Sequence, residues 1–86
     1  MPLVTGYNYD VYGGIPAGIE NVSLSDDTSY NGVKAFMVDA DGTIALEMHD
    51  NSTGTMVVKS GAQYAANVTK FKSTGSSGIT TVTILY

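Results

Sequence analysis

Val33-Lys34-Ala35-Phe36-Met37-Val38-Asp39-Ala40-Asp41-Gly42-Thr43-Ile44-Ala45-Leu46-Glu47-Met48 reads as two strands and the turn between them. The unbroken apolar run Ala35 to Val38 predicts a strand covered on both faces, as in the middle of a sheet. Asp39-Ala40-Asp41-Gly42 predicts a tight turn in which Gly42 is free to adopt positive φ. Past the turn the residues alternate. Ile44, Leu46 and Met48 face one way, and Thr43, Ala45, Glu47 and His49 the other.

The same grammar extends to both sides. Strands are expected at Glu20 to Ser25, about Gly32 to Val38, Thr43 to His49, Thr55 to Lys59, about Tyr64 to Lys72, and Ile79 to Tyr86. Val, Ile, Thr and aromatic residues suit a pleated, half-buried surface, and the Asp-, Asn-, Gly- and Ser-rich breaks permit reversals. In the fifth strand Tyr64, Ala66 and Val68 are expected opposite Ala65, Asn67, Thr69 and Phe71. Ser73 to Gly78 reads as a loop. In the last strand Val82, Ile84 and Tyr86 share a face. Helical periodicity is missing between the strands, which argues against a βαβ fold. About six strands at this spacing predict an all-β domain, a small antiparallel β-sandwich or barrel.

Residues 1–18 differ. Tyr7, Tyr9 and Tyr12 stand among Gly6, Gly13, Gly14, Pro16 and Gly18, too much glycine and proline for a long regular element. They are read as an extended N-terminal arm, with residues 19–86 as the β domain. A terminus stays disordered unless it docks, so the arm is expected to lie on its own domain or on a neighbour, and Tyr7, Tyr9, Tyr12 and Ile15 are the residues expected to make a capsid or inter-subunit contact.

Composition points to association. A chain of 86 residues buries a modest core, and domains this small usually gain a disulfide, a metal or partner subunits. There is no cysteine, which removes disulfides and thiolate chemistry. Only 14% of residues are charged, so much of the surface is neutral polar or apolar, as interface cores are. The six tyrosines and four methionines fit the same pattern. A net charge of −4 with no arginine argues against nucleic acid, where cations supply most of the affinity. No apolar run approaches the roughly 20 residues that span a bilayer. The opening MPLVTGYNYD lacks a basic start and a continuous apolar stretch, so synthesis without an export signal is expected. The triplets at Asn21, Asn51 and Asn67 are then chance matches to a glycan acceptor.

No residue set reads as catalytic, and no cofactor or metal is expected. Asp39, Asp41 and Gly42 do not match an EF-hand: the glycine arrives too early, and the flanks are strands. His49 is the only imidazole, and Asp50 beside it points to the opposite face of a strand. Glu20 and Glu47, the two glutamates, have no context that pairs them. Gly13-Gly14 and Gly75-Ser76-Ser77-Gly78 lack the spacing and the lysine of a phosphate loop. Tyr7, Tyr9, Tyr12, Tyr30 and Tyr64 could form a platform for sugars, but an amphipathic ring also suits core edges and subunit contacts.

From Val22 onward the chain resembles the small spike base proteins of tailed-phage and gene-transfer-agent heads. The resemblance rests on an ordered series. Ser25-Asp26 follows the first strand, then VKAFMVDADG (Val33 to Gly42), a Thr-rich strand pair, a break at Gly61, Thr74-Gly75, and the ending Ile84-Leu85-Tyr86. The chain departs from the family at Ala62-Gln63-Tyr64, where prolines are frequent, and in the arm before Gly18. The resemblance implies a non-enzymatic virion structural protein, made in the host cytoplasm and carried on the capsid surface. Implied partners are other copies of itself in a ring, a pentamer among the options, the major capsid protein, and a spike or fibre protein. Without the resemblance, the tyrosines leave open a carbohydrate-binding or adhesion module of a fibre or tail.

Overall fold

A computed structural model describes residues 15–86. The described residues form seven strands and no helix: β1 (Ile19–Ser23), β2 (Ala35–Val38), β3 (Gly42–Met48), β4 (Thr53–Val58), β5 (Tyr64–Ala65), β6 (Val68–Ser77) and β7 (Thr81–Leu85). They build one sheet in the order β1-β7-β2-β5 and a second in the order β4-β3-β6. All pairings are antiparallel. The all-β antiparallel class expected from the pattern is observed; of the expected sandwich or barrel of about six strands, the described residues form seven strands in two sheets.

One core lies between the sheets. Phe36, Val38, Val82 and Ile84 come to it from the first sheet; Ile44, Leu46, Val58, Val68 and Phe71 come from the second. Val33 and Ile79, on the flanking loops, close it. Phe36, Ile44, Val58 and Val82 are fully buried, and no polar side chain is buried among the described residues. Each large apolar side chain removed from water contributes about 1.5–3 kcal/mol, which is the force holding the sheets together.

β2 is a central strand, as its apolar run predicts, lying between β7 and β5. The alternation in β3 is observed at Ile44 and Leu46. Ala45, assigned to the solvent face, is also buried, because the Gly75 backbone lies over its methyl group and Ser76 bonds its backbone. The Asp39–Asp41 bend exists, but it carries the chain from one sheet to the other and is not a hairpin. Gly42 has no positive φ; Gly32, Gly61, Gly75 and Gly78 do. Glycine is required at Gly42 because a Cβ there would overlap the Ser77 carbonyl oxygen.

The expected fifth strand is two strands in two sheets. β5 pairs with β2, whereas β6 pairs with β3. The chain crosses between them at Ala66 and Asn67. There the Asn67 side chain donates to the Val33 carbonyl at 3.0 Å, and its own carbonyl accepts from His49 N–H at 3.0 Å. Phe71, expected on the face of Asn67 and Thr69, turns inward beside Val68. The β3–β6 register slips between Glu47 and Met48, so Thr69 is an extra residue that resets the alternation. The expected loop at Ser73 to Gly78 is largely strand, with β6 running through Ser77. Between its pairings to Ala45 and Thr43, β3 advances two residues while β6 advances five, from Lys72 to Ser77. The surplus is a bulge with Gly75 at φ 92°.

Candidate functional site

Three surface features could carry function, and each is built from residues far apart in sequence. The first is the outer face of the four-stranded sheet. Cross-strand partners share a face, and Ile84 and Phe36 point into the core, so their neighbours along each strand point out. Ile19, Leu85, Ala35 and Ala65 therefore form one apolar row across all four strands. Asn21, Thr83 and Met37 make the next row, in which the Thr83 hydroxyl donates to Asn21 Oδ1 at 2.7 Å. Ile19 is 68% exposed, and Ile15 beyond it 88% exposed. The Ile15 carbonyl accepts from Lys34 Nζ at 3.4 Å, while Tyr86 N–H donates to the Gly18 carbonyl at 3.0 Å. Of the four arm residues expected to make contacts, Ile15 is thus described and open. Tyr7, Tyr9 and Tyr12 lie outside the described residues.

The second feature is a carboxylate clamp. Asp26 Oδ1 accepts the backbone N–H groups of Ser73 and Thr74, each at 3.0 Å, and Oδ2 accepts the Thr74 hydroxyl at 2.5 Å. The Thr74 hydroxyl, followed by the Thr74 and Ser73 N–H groups, holds the Asp26 carboxyl below the usual carboxylate range. On the other side of the bulge the Ser76 hydroxyl accepts from Ala45 N–H at 2.8 Å and donates to the Lys72 carbonyl at 2.6 Å. Asp26 and Ser76 together replace the ladder bonds that the bulge removes. Sequence reasoning missed this clamp. Its chemistry is ordinary Asx-type bonding, but the partners stand 48 residues apart.

The third is a shallow open groove of about 330 Å³ lined by Met48, His49, Asp50, Ser52 and Asn67. It brings the lone imidazole near a carboxylate and a hydroxyl. However, Ser52 Oγ donates to Asp50 Oδ1 at 2.6 Å, and Ser52 N–H donates to the same oxygen at 3.0 Å. These bonds, the hydroxyl first, lower the Asp50 carboxyl. They close the β3–β4 hairpin, where Asn51 takes the left-handed φ of 71°. The break between the expected strands Thr43 to His49 and Thr55 to Lys59 is shorter than that spacing, and Thr53 and Gly54 belong to β4. A nucleophilic serine gives its proton to the imidazole; here the hydroxyl is committed to the carboxylate.

The other acids of the sequence analysis cap backbone. Asp39 accepts from Thr80 N–H at 3.2 Å, the main reason its carboxyl is lowered, with Thr81 adding to it. Asp41 accepts from Ser60 N–H at 2.8 Å. No group of three His, Asp or Glu side chains among the described residues could hold a metal. Tyr30 and Tyr64, weighed as sugar platforms, lay their rings against the core. Tyr30 meets Phe71 at 6.0 Å, and Tyr64 stacks on Phe36 at 5.4 Å with 27° between planes. Burial, then the charge of Glu20, raises the Tyr30 hydroxyl pKa. No family model, no curated protein and no solved structure matches this chain.

Proposed function

We propose that the chain is a non-enzymatic structural subunit of a tailed-phage head, a capsid decoration or spike base protein that assembles as a homo-oligomer on the capsid exterior. The observation that carries this reading is the outward apolar row Ile19, Leu85, Ala35 and Ala65 of a small, weakly charged domain, in which Ile19 and Ala65 are exposed, Leu85 is half-buried and Ala35 is covered, with Ile15 exposed beside it. A surface of this kind gains free energy when a neighbour covers it.

In this reading the neighbours are other copies in a ring, a pentamer included, the major capsid protein below, and a spike or fibre protein above. Nucleic acid and membrane are not partners. Tyr7, Tyr9, Tyr12 and Ile15 make the arm contacts to capsid or adjacent subunit. Several weak faces held in one ring bind an array far more tightly than one face does. The ordered motifs of the spike base resemblance supply the virion assignment. A carbohydrate-binding module of a fibre or tail has less support, because the Tyr30 and Tyr64 rings are engaged with Phe71 and Phe36.

The test is cosedimentation of the purified full chain with phage heads from which its gene has been deleted. Saturable binding at a fixed copy number per head, weakened by Ile19→Lys, is expected. A chain that stays in the supernatant at every concentration contradicts the proposal.

A further inference from the structure

The two sheets have four edges among the described residues: β1, β5, β4 and β6. Natural sheets protect such edges with charge, proline, bulges, shortness or a covering loop. Three of these edges are protected. The segment after β1 covers β6, with Ser25 N–H donating to the Phe71 carbonyl at 2.9 Å and Tyr30 N–H to the Thr69 carbonyl at 2.7 Å. β5 is only two residues long. β1 carries Glu20 opposite Ile84, a charge on the core-facing side of an edge.

Among the described residues, β4 has none of these devices. Thr53-Gly54-Thr55-Met56-Val57-Val58 contains no charge and no proline, and its register with β3 runs without a bulge from Gly42 to Glu47. Thr53, Gly54, Thr55 and Val57 are exposed, Val57 to 70%. The direction of its free backbone groups follows from the hairpin. Met48 N–H donates to the Ser52 carbonyl at 2.8 Å, so Met48 and Ser52 form a hydrogen-bonded pair. Such pairs alternate along an antiparallel ladder, so Gly54, Met56 and Val58 also bond inward to β3. The N–H and C=O groups of Thr53, Thr55 and Val57 therefore point away from the sheet.

We infer that β4 pairs antiparallel with β4 of a second copy, about a two-fold axis at Thr55. This rests on the proposed reading of the chain as a self-associating subunit, and it names one surface. The in-face register places Thr55 opposite Thr55 and Thr53 opposite Val57, and all of these residues have outward backbone groups. Two three-stranded sheets become one continuous six-stranded sheet. Charge selects a second copy as the occupant. The chain carries −4 overall, yet this strand carries nothing, so self-pairing sets no like charges opposite each other. Antiparallel pairing also brings the Asp50 end of one β4 beside the Lys59 end of the other, twice by symmetry; there Lys59 Nζ lies 3.8 Å from Asp41 of its own copy, an exposed pair that leaves that end neutral. A two-fold contact joins copies in pairs and does not itself close a ring, so it implies an even number of subunits wherever every copy makes it, ten if the ring is a pentamer.

The test is sedimentation velocity on the full chain and on two variants. In Thr55→Pro the lost N–H points outward, so the β3 ladder is untouched and only the pairing donor goes. Val57→Lys places a charge on an already exposed edge residue and covers the case in which the proline variant fails to fold. The wild type is expected to be an even-numbered assembly. Each folded variant is expected to lose half its mass at equal concentration, with association weakened at least about tenfold. Variants that keep the wild-type mass overturn the edge assignment, and so does a wild type that stays monomeric at its highest soluble concentration. If head binding persists in either case, the proposed function stands and only the β4 contact is rejected; if head binding is also absent, both fail.

Discussion

The ring of Phe36 on β2 meets the ring of Phe71 on β6 edge-on, with centroids 5.2 Å apart and planes at 71°. This is where the two sheets touch through aromatic rings, and Tyr64 and Tyr30 extend the cluster from either side. Both phenylalanines are buried, Phe36 completely.

Phe71→Ala is expected to destabilise the domain by about 3–5 kcal/mol, through lost transfer energy and the cavity left behind. For a chain of this size, that lowers Tm by more than about 12 °C. Thermal unfolding followed by circular dichroism measures it. A loss under about 1 kcal/mol means Phe71 is not a core residue.

Stability is expected to hold from neutral pH down to about pH 5 and then fall below about pH 4. Asp26, Asp39 and Asp50 all have carboxyls lowered in the folded state by accepted hydrogen bonds. A folded pKa below the unfolded value contributes stability that is present above the unfolded pKa. It is lost as pH falls through the folded one. Asp26→Asn removes the Asp26 share, so its urea midpoint should change less between pH 5 and pH 3 than that of the wild type. Equal pH dependence in both proteins excludes Asp26 as a contributor.

Two glycines on neighbouring strands should respond in opposite ways to alanine. At Gly42 the new methyl group meets the Ser77 backbone, and about 1–3 kcal/mol is expected to be lost. At Gly54 nothing lies within 4 Å, so Gly54→Ala should be neutral or stabilising by up to about 1 kcal/mol. Urea midpoints separate the two. A tolerated Gly42→Ala contradicts the close approach of β3 to β6.

Ser76→Ala leaves the Ala45 N–H without the hydroxyl that accepts from it. An unsatisfied buried donor costs about 1–3 kcal/mol. Amide exchange at Ala45 should accelerate more than at Leu46, whose N–H bonds toward Gly54 on β4, away from the bulge. Uniform acceleration along β3 would instead indicate general destabilisation.

Much of the fold was legible because β7 alternates strictly, β3 does so in its large apolar residues, and β2 does not. The periodicity at Ile44, Leu46, Val82 and Ile84 marks the core directly. The misreadings cluster in residues 64–78, where alternation fails for physical reasons. The crossing at Asn67 has neither glycine nor proline to announce it; a side-chain bond to Val33 turns the chain instead. The extra residue at Thr69 moves Phe71 to the other face, and the bulge after Lys72 depends on Asp26, which no local pattern connects to it. The candidate surface was legible only as a shortage of charge. That Ile19, Leu85, Ala35 and Ala65 share one row required the pairing of β1, β7, β2 and β5, which composition does not contain.

The most direct measurement is the protein content of purified particles from the strain that encodes this chain, with copy number per head determined by quantitative mass spectrometry. A fixed multiple of copies on every head, removable only with the capsid exterior, is the result expected of a coat building block. Particles that lack the chain, together with a monomer in solution whose Ile15 and Ile19 remain uncovered, would contradict the account.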